Sequence, residues 1–299
     1  MRVFVTGASG WIGSSAVDEL LARGHEVVGA ARSDASAARL EQKGALVRRT
    51  DLDDLDGLRA GALEADAVVH LANKHDWANP AESNRAERAA VQTFVDALSG
   101  TDKPFLLASG VAGFQFGRPV VESDRTDFRG PEAPRGGTEN LAFDAVSDGL
   151  HAVSLRFAPT VHAAGDHGFI PLIIAAARRR GVSGYVGDGT NRWSAVHRAD
   201  AGRAVALGLE QAPAGTALHV VGEEGVPTRE IAEAIGRALG VPTASIDPAE
   251  AQEHFGFIGM FFGIDMSGSS AITQARLGWT PTGPTLLEDL APGSAYFPQ

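Results

Sequence analysis

The residues with the clearest chemistry in this chain come first: Thr6-Gly7-Ala8-Ser9-Gly10-Trp11-Ile12-Gly13. A strand-like run from Arg2 to Thr6 leads in, and a helical pattern from about Gly13 to Arg23, ended by Gly24, leads out. In that context three glycines at this spacing form a dinucleotide cradle. Gly7 makes the tight turn, Gly10 lets the backbone reach a pyrophosphate, and Gly13 lets the helix pack on the strand. The helix start adds N–H donors and the positive end of its dipole. Thr6, Ser9, Trp11 and Ile12 are cofactor-binding candidates along with these glycines. Arg32 and Ser33 stand where the second strand ends. An NAD site usually has Asp or Glu there for the ribose hydroxyls, whereas Arg32 can pair with a 2′-phosphate and stack on adenine. Ser33 can add a hydroxyl, and Asp34 lies two residues past Arg32. NADP is therefore expected and NAD less so; the alternative is an Arg32 that is merely solvated. Asp51 and Leu52 follow the third strand, where Asp51 can accept from the adenine amino group or cap the helix beginning near Asp53.

Ligands in open α/β sheets sit outside the C-terminal strand ends. The titratable residues there are Lys74, His75 and Asp76 after the fourth strand, and His162, Asp166 and His167 after the sixth. Histidine transfers protons best near neutral pH. His162, His75 and Asp76 are the acid/base candidates, each with a surface or structural role as the alternative. No His-x-x-x-His spacing supports a metal, and no Gly-x-Ser-x-Gly supports acyl transfer.

The elements needed to position these residues are visible as a rhythm. Short apolar runs, Arg2–Thr6, Glu26–Ala31, Ala45–Arg49, Ala67–Ala72, Pro104–Ser109 and Ala152–Phe157, alternate with helical patterns such as Ser36–Lys43 and Glu82–Leu98. The spacing predicts a parallel doubly wound α/β sheet of Rossmann type. Further on, helices are expected over Phe169–Arg180, Ala199–Gln211 and Thr228–Leu239, the last with Thr228 as N-cap, and strands over Gly184–Asp188 and Ala217–Val221. The organisation expected is a dinucleotide-binding domain over 1–165, rejoined by 195–222, with a smaller substrate lobe from 166–194 and 223–299. Within that lobe the run from Phe255 to Phe262 can line a pocket with Trp77 and Trp193, or serve as lobe core or a dimer contact.

Of the 299 residues 44% are apolar and 21% charged, and there is no cysteine, which excludes disulfides and thiolate chemistry. The net charge is −11, with no basic cluster beyond Arg178-Arg179-Arg180, so nucleic acid and anionic membranes are poor partners. No apolar run is long enough to span a bilayer, and Met1-Arg2 leads directly into a strand without a signal-peptide pattern. A cytoplasmic protein with a small-molecule substrate is expected, and a homodimer is compatible. Lysine occurs only at 43, 74 and 103.

At this point the chain resembles the extended short-chain dehydrogenase/reductase superfamily, the epimerase/dehydratase-like branch. The resemblance rests on Thr6–Gly13, Asp51-Leu52, His70-Leu71-Ala72, the strand-end segment Leu107-Ala108-Ser109, the segment from Arg156 to His162, and Val196-His197-Arg198-Ala199-Asp200. It implies cofactor contacts from Leu71, Ala72 and Pro159, a hydroxyl at Ser109 or at the adjacent Gly110 position, and His162 close to the nicotinamide. It also implies a Tyr-x-x-x-Lys pair, which the sequence lacks: its tyrosines are Tyr185 and Tyr296, and no lysine follows Lys103. The pair would fall near Pro131 and Arg135, where proline transfers no proton and arginine is a fixed cation. The expected activity is NADP(H)-dependent oxidoreduction of a small carbonyl, alcohol or imine with a non-standard proton donor. The alternatives are an epimerase or dehydratase with bound NAD(P), and a non-catalytic NADP(H) sensor.

Overall fold

The computed structural model describes residues 1–114 and 117–298. Its strands are β1 (Arg2–Thr6), β2 (Glu26–Ala30), β3 (Leu46–Arg48), β4 (Ala67–His70), β5 (Pro104–Gly110), β6 (His151–Phe157), β7 (Thr160–His162), β8 (Ser183–Val186), β9 (Arg192–His197), β10 (Thr216–Val220), β11 (Glu223–Pro227) and β12 (Thr243–Ile246). Seven of them form one sheet in the order β10-β6-β5-β4-β1-β2-β3, with every neighbouring pair parallel. Parallel neighbours need crossovers, and helices supply them: α1 (Trp11–Ala22), α2 (Asp34–Gln42), α3 (Leu55–Glu64), α4 (Pro80–Leu98), α5 (Thr138–Asp144), α6 (Phe169–Arg180) and α7 (Arg198–Gln211). After these come α8 (Thr228–Leu239), α9 (Ala251–Phe255), α10 (Gly259–Phe262), α11 (Ala271–Leu277) and α12 (Leu286–Asp289).

Strand side chains alternate between faces, so each apolar run feeds two cores. Val3 and Val5 face α1 and α7 and meet Val17 and Ala204 there; Phe4 faces the other way, into α3 and α4, beside Leu58 and Phe94. All of these are completely or almost completely buried. A third core joins Ile170 and Ile174 of α6 to Ile231 and Ile235 of α8, with Trp193, Phe255 and Phe262.

The sequence expectations for α6 and the span of α8 match the structure, and several others shift. Pro227, not Thr228, is the cap of α8; Thr228 is the first helical residue and its hydroxyl donates to Asn191 Oδ1 at 2.8 Å. The short strands β7, β9 and β11 form a separate sheet in the order β11-β9-β7, and β8 pairs with β12. These are runs of three to six residues without a clean period, so pairing rather than pattern defines them. The segment after 223 does not stay in one core either. Leu277 and Trp279 pack with the sheet beside α7, so the C-terminal stretch crosses back onto the larger unit.

Candidate functional site

The glycine cradle is a set of close approaches. Gly7 has φ +66°, and a Cβ there would come within 2.7 Å of Leu71 C and Ala72 N. A Cβ at Gly13 would lie 2.0 Å from the Gly7 carbonyl oxygen. Helix α1 begins after Gly10, and no side chain caps it, so its first-turn N–H groups are available to an anion. The cradle thus fits a pyrophosphate. Ser9 and Ile12 are half-buried beside it, and Ile12 leans on the core. Trp11 fixes the loop from the far side: its Nε1 donates to the Val161 carbonyl at 2.7 Å, the Arg198 guanidinium lies 4.4 Å over its ring, and His167 meets it edge-on at 5.5 Å. Thr6 is placed differently from the expectation of a cofactor contact. It is buried under the cradle, where its hydroxyl pairs with His70 Nδ1 at 2.8 Å and accepts from the Ala72 N–H at 3.3 Å. Its role there is to pin the rim between β1 and β4.

At the end of β2, Arg32 is exposed and makes no hydrogen bond or ion pair among the described residues. Ser33 caps α2, accepting from the Ser36 N–H at 3.2 Å. Asp34 is paired with Arg49. Asp51 is neither the cap of α3 nor fully free: it accepts from the N–H groups of Asp53 and Asp54 at 2.9 and 3.2 Å, while Asp54 caps the helix. Leu52 packs on the α3/α4 core.

The strand ends at the sheet's centre gather a second constellation. Arg135, Gly136 and Gly137 follow one another with φ of +51°, +62° and +61° just before α5. This left-handed run turns Arg135 back toward α4, where its Nη2 donates to Glu87 Oε1 at 2.7 Å. Glu87 is 1% exposed. Its other oxygen accepts from Asn73 Nδ2 at 2.8 Å, and His70 Nε2 stands 3.9 Å away. Burial holds the His70 imidazole below its usual range, against the pull of Glu87. Pro131 is exposed.

Ser109, at the end of β5, donates to Glu139 Oε2 at 3.2 Å, and Glu139 is held in turn by Arg156 Nε at 2.7 Å. Arg156 is fully buried in β6, with its guanidinium 4.6 Å from the Phe114 ring and 3.3 Å from His219 Nε2. The Glu139 carboxylate is therefore fixed beside the serine by the buried guanidinium. Pro159 lies half-buried between β6 and β7.

Among the acid/base candidates the structure separates three histidine surroundings. His75 is exposed, has φ +51°, and its ring makes no hydrogen bond among the described residues. The groups packed around it, and then the Arg135 charge, hold its pKa below the ordinary value. Asp76 is not its partner; that carboxylate accepts from the Ala78 N–H at 3.1 Å and from Asn79 Nδ2 at 2.9 Å, forming the turn into α4. His162 is sealed from solvent. Its pairing with His197 across β7 and β9 directs it inward, its Nδ1 is 2.7 Å from Asp289 Oδ2, and its Nε2 is 3.9 Å from Glu223. The expectation of His162 as an accessible acid/base group past a strand end is corrected: the parallel β7–β9 pairing and the return of α12 enclose it. His167 does not pair with Asp166, which binds the Gly168 N–H at 2.7 Å and the Tyr296 hydroxyl at 2.5 Å. Trp193 is likewise lobe core, fully buried, and not a pocket wall.

Glu87, Asn73 and Glu139 escaped the sequence reading. Glu87 did leave a trace: it falls on the buried stripe of α4 with Ser83, Ala86, Ala90, Val91 and Phe94, where an acid requires a partner.

Comparison with known proteins identifies the chain. The model of the NAD dependent epimerase/dehydratase family matches residues 3–221. The chain belongs to that family. It is 42% identical to an uncharacterized protein of Schizosaccharomyces pombe over 297 residues, 99% of this chain and 100% of the relative. It is 32% identical to the 2'-dehydrokanamycin reductase of Streptomyces kanamyceticus over 266 residues, covering 84% of this chain and 70% of that enzyme. Among solved structures it resembles the dTDP-glucose 4,6-dehydratase of Streptomyces venezuelae with NAD and TYD bound, at 24% identity and a TM-score of 0.73, covering 95% and 93% of the two chains. This epimerase/dehydratase family member is an enzyme of the NAD(P)-dependent oxidoreductase type with a Rossmann-type fold. No described helix is long and apolar enough to cross a membrane.

Proposed function

We propose that the enzyme is an NADP(H)-dependent reductase of a small carbonyl or imine, which runs in reverse on the alcohol or amine. The observation that carries the NADP preference is the free Arg32 guanidinium at the end of β2, next to an Asp34 already neutralised by Arg49. An unpaired arginine there suits a 2′-phosphate and leaves no carboxylate free for a 2′-hydroxyl.

Bound NADPH supplies the hydride. The chain's own residues bind, orient and protonate. The first-turn N–H groups of α1 hold the pyrophosphate, and Leu71, Ala72 and Pro159 flank the nicotinamide half. Arg135 replaces the family's lysine as a fixed cation for a ribose hydroxyl, held in place by Glu87; it carries no proton to the substrate. The Ser109 hydroxyl orients the substrate oxygen. His75, the exposed imidazole with free ring nitrogens, delivers the proton. Asp76 and His162 are engaged elsewhere and act as positioning residues for the loop and the lobe. The reductase relative supports this reading.

Titration of the purified protein with NADPH and NADH, read by fluorescence, tests the cofactor. NADPH is expected to bind tighter, and equal affinity for the two would sink the role of Arg32. NADPH oxidation across carbonyl and imine panels tests the reaction; tight NADPH binding with silence throughout would turn the reading toward the sensor.

A further inference from the structure

The run from Phe255 to Phe262 divides its side chains between two surroundings. Phe255, Ile258 and Phe262 are buried in the lobe core, whereas Phe257 and Phe261 turn outward toward Trp77. Trp77 is 52% exposed, on the loop that follows β4. Its ring centroid lies 5.0 Å from Phe257, 6.3 Å from Phe261 and 6.4 Å from Phe169, and Phe169 stacks on Phe261 at 6.2 Å with 13° between their planes. Four rings thus form one half-open aromatic shelf. A large exposed ring held among others costs hydration and marks a surface awaiting a partner.

Two of the three chain segments that build the shelf run close to the candidate proton donor and to the cradle. Trp77 stands two residues past His75 and 6.1 Å from its ring. Phe169 stands two residues past His167, which packs on Trp11 of the cradle. Two cations near it are held by carboxylates, Lys74 by Asp53 at 2.8 Å and Arg135 by Glu87. Of the arginines from residue 223 onward, Arg229 lies over the Tyr185 ring and Arg276 donates to Thr216, while Arg237 is exposed on α8. A nucleoside diphosphate is held by guanidinium or ammonium groups, whereas a flat apolar body is held by ring faces, and the shelf itself is built of four rings.

We infer that the shelf of Trp77, Phe169, Phe257 and Phe261 binds a planar apolar substrate body, an aromatic ketone or aldehyde, with its carbonyl directed at His75. This rests on the reductase reading and narrows its substrate class.

The test is equilibrium binding of 2-acetonaphthone and of UDP-glucose to the NADP⁺-loaded enzyme, by calorimetry, for wild type, Trp77→Ala, Trp77→Phe and Phe257→Ala. The expected result is binding of the naphthyl ketone, weakened at least tenfold in both alanine variants and largely restored in Trp77→Phe, with NADPH affinity and Tm unchanged. UDP-glucose should not compete. Three results would overturn the shelf: no binding of the ketone, equal binding in all variants, or tighter binding of UDP-glucose. Self-association of the wild type that Trp77→Ala abolishes would also overturn it, making the patch a subunit contact. Parallel assay of NADPH oxidation separates the two claims. Shelf-dependent binding without turnover defeats the reductase and keeps the shelf. Turnover with KM unchanged in the variants does the reverse.

Discussion

Arg135 donates to Glu87 across 2.7 Å, bridging a strained left-handed turn and the buried stripe of α4. In the reading proposed above, Arg135 takes the place of the family's lysine. It turns a buried carboxylate into the anchor of a fixed cation. Glu87→Ala should leave Arg135 unanchored and Asn73 without its acceptor. The expected loss is about 2 kcal/mol, at the low side for a broken buried pair because Arg135 is one-third exposed. Urea unfolding measures it. Arg135→Lys keeps the charge without the planar fork, and kcat should fall more than NADPH affinity does.

Arg32→Ala should weaken NADPH binding roughly ten- to a hundredfold, the scale of charge-assisted hydrogen bonds, and leave NADH binding unchanged. Fluorescence titration of both cofactors checks this, and equal losses for the two would contradict it.

Gly13→Ala places a methyl group 2.0 Å from the Gly7 carbonyl oxygen, so the loop or the helix must move. Cofactor affinity should fall by at least tenfold and stability by about 2 kcal/mol, as for overpacking. Thermal melts with and without NADPH separate the two effects.

His75→Ala should slow turnover by on the order of a hundredfold while Tm stays put, because the ring makes no hydrogen bond among the described residues. Full activity in the variant would remove His75 as the donor. His162→Asn should show the opposite pattern, a lower Tm with kcat retained, since it breaks the 2.7 Å bond to Asp289.

Burial lowers the pKa of His70, His162 and His219 in the folded protein. Between their lowered folded values and the unfolded value of about 6.5, the unfolded chain binds more protons. Stability should therefore be fully present above about pH 6.5 and be lost as pH falls toward the folded values. Urea midpoints measured from pH 8 to pH 5 test this. His162→Asn removes one titrating site and should flatten the slope.

The cradle was legible because its information is local. Gly13 is demanded by its contact with Gly7 six residues earlier and Gly7 by its own positive φ, although the approach of Gly7 to Leu71 and Ala72 comes only with the folded sheet; Val3, Phe4 and Val5 announce a strand buried on both faces before any partner is known. Arg32 was readable for the same reason, since its place follows from the end of β2. The reacting half was not. Glu87, Asn73, Arg135 and His70 are brought together by α4, the loop after β4 and the turn before α5, up to 65 residues apart in the chain. His162 and His75 look alike in sequence, as histidines a few residues past strand ends. The structure encloses one beneath α12 and leaves the other open.

By itself, then, the sequence determined the parallel sheet, the dinucleotide cradle and the absence of the Tyr-x-x-x-Lys pair, all of which depend on residue type and short spacing. Only the tertiary structure decided which histidine is accessible, which carboxylate is buried, and which aromatics of the Phe255–Phe262 run face outward. Those properties belong to contacts between distant segments, where burial and partner distance, not residue type, set the charge state and the access of each group.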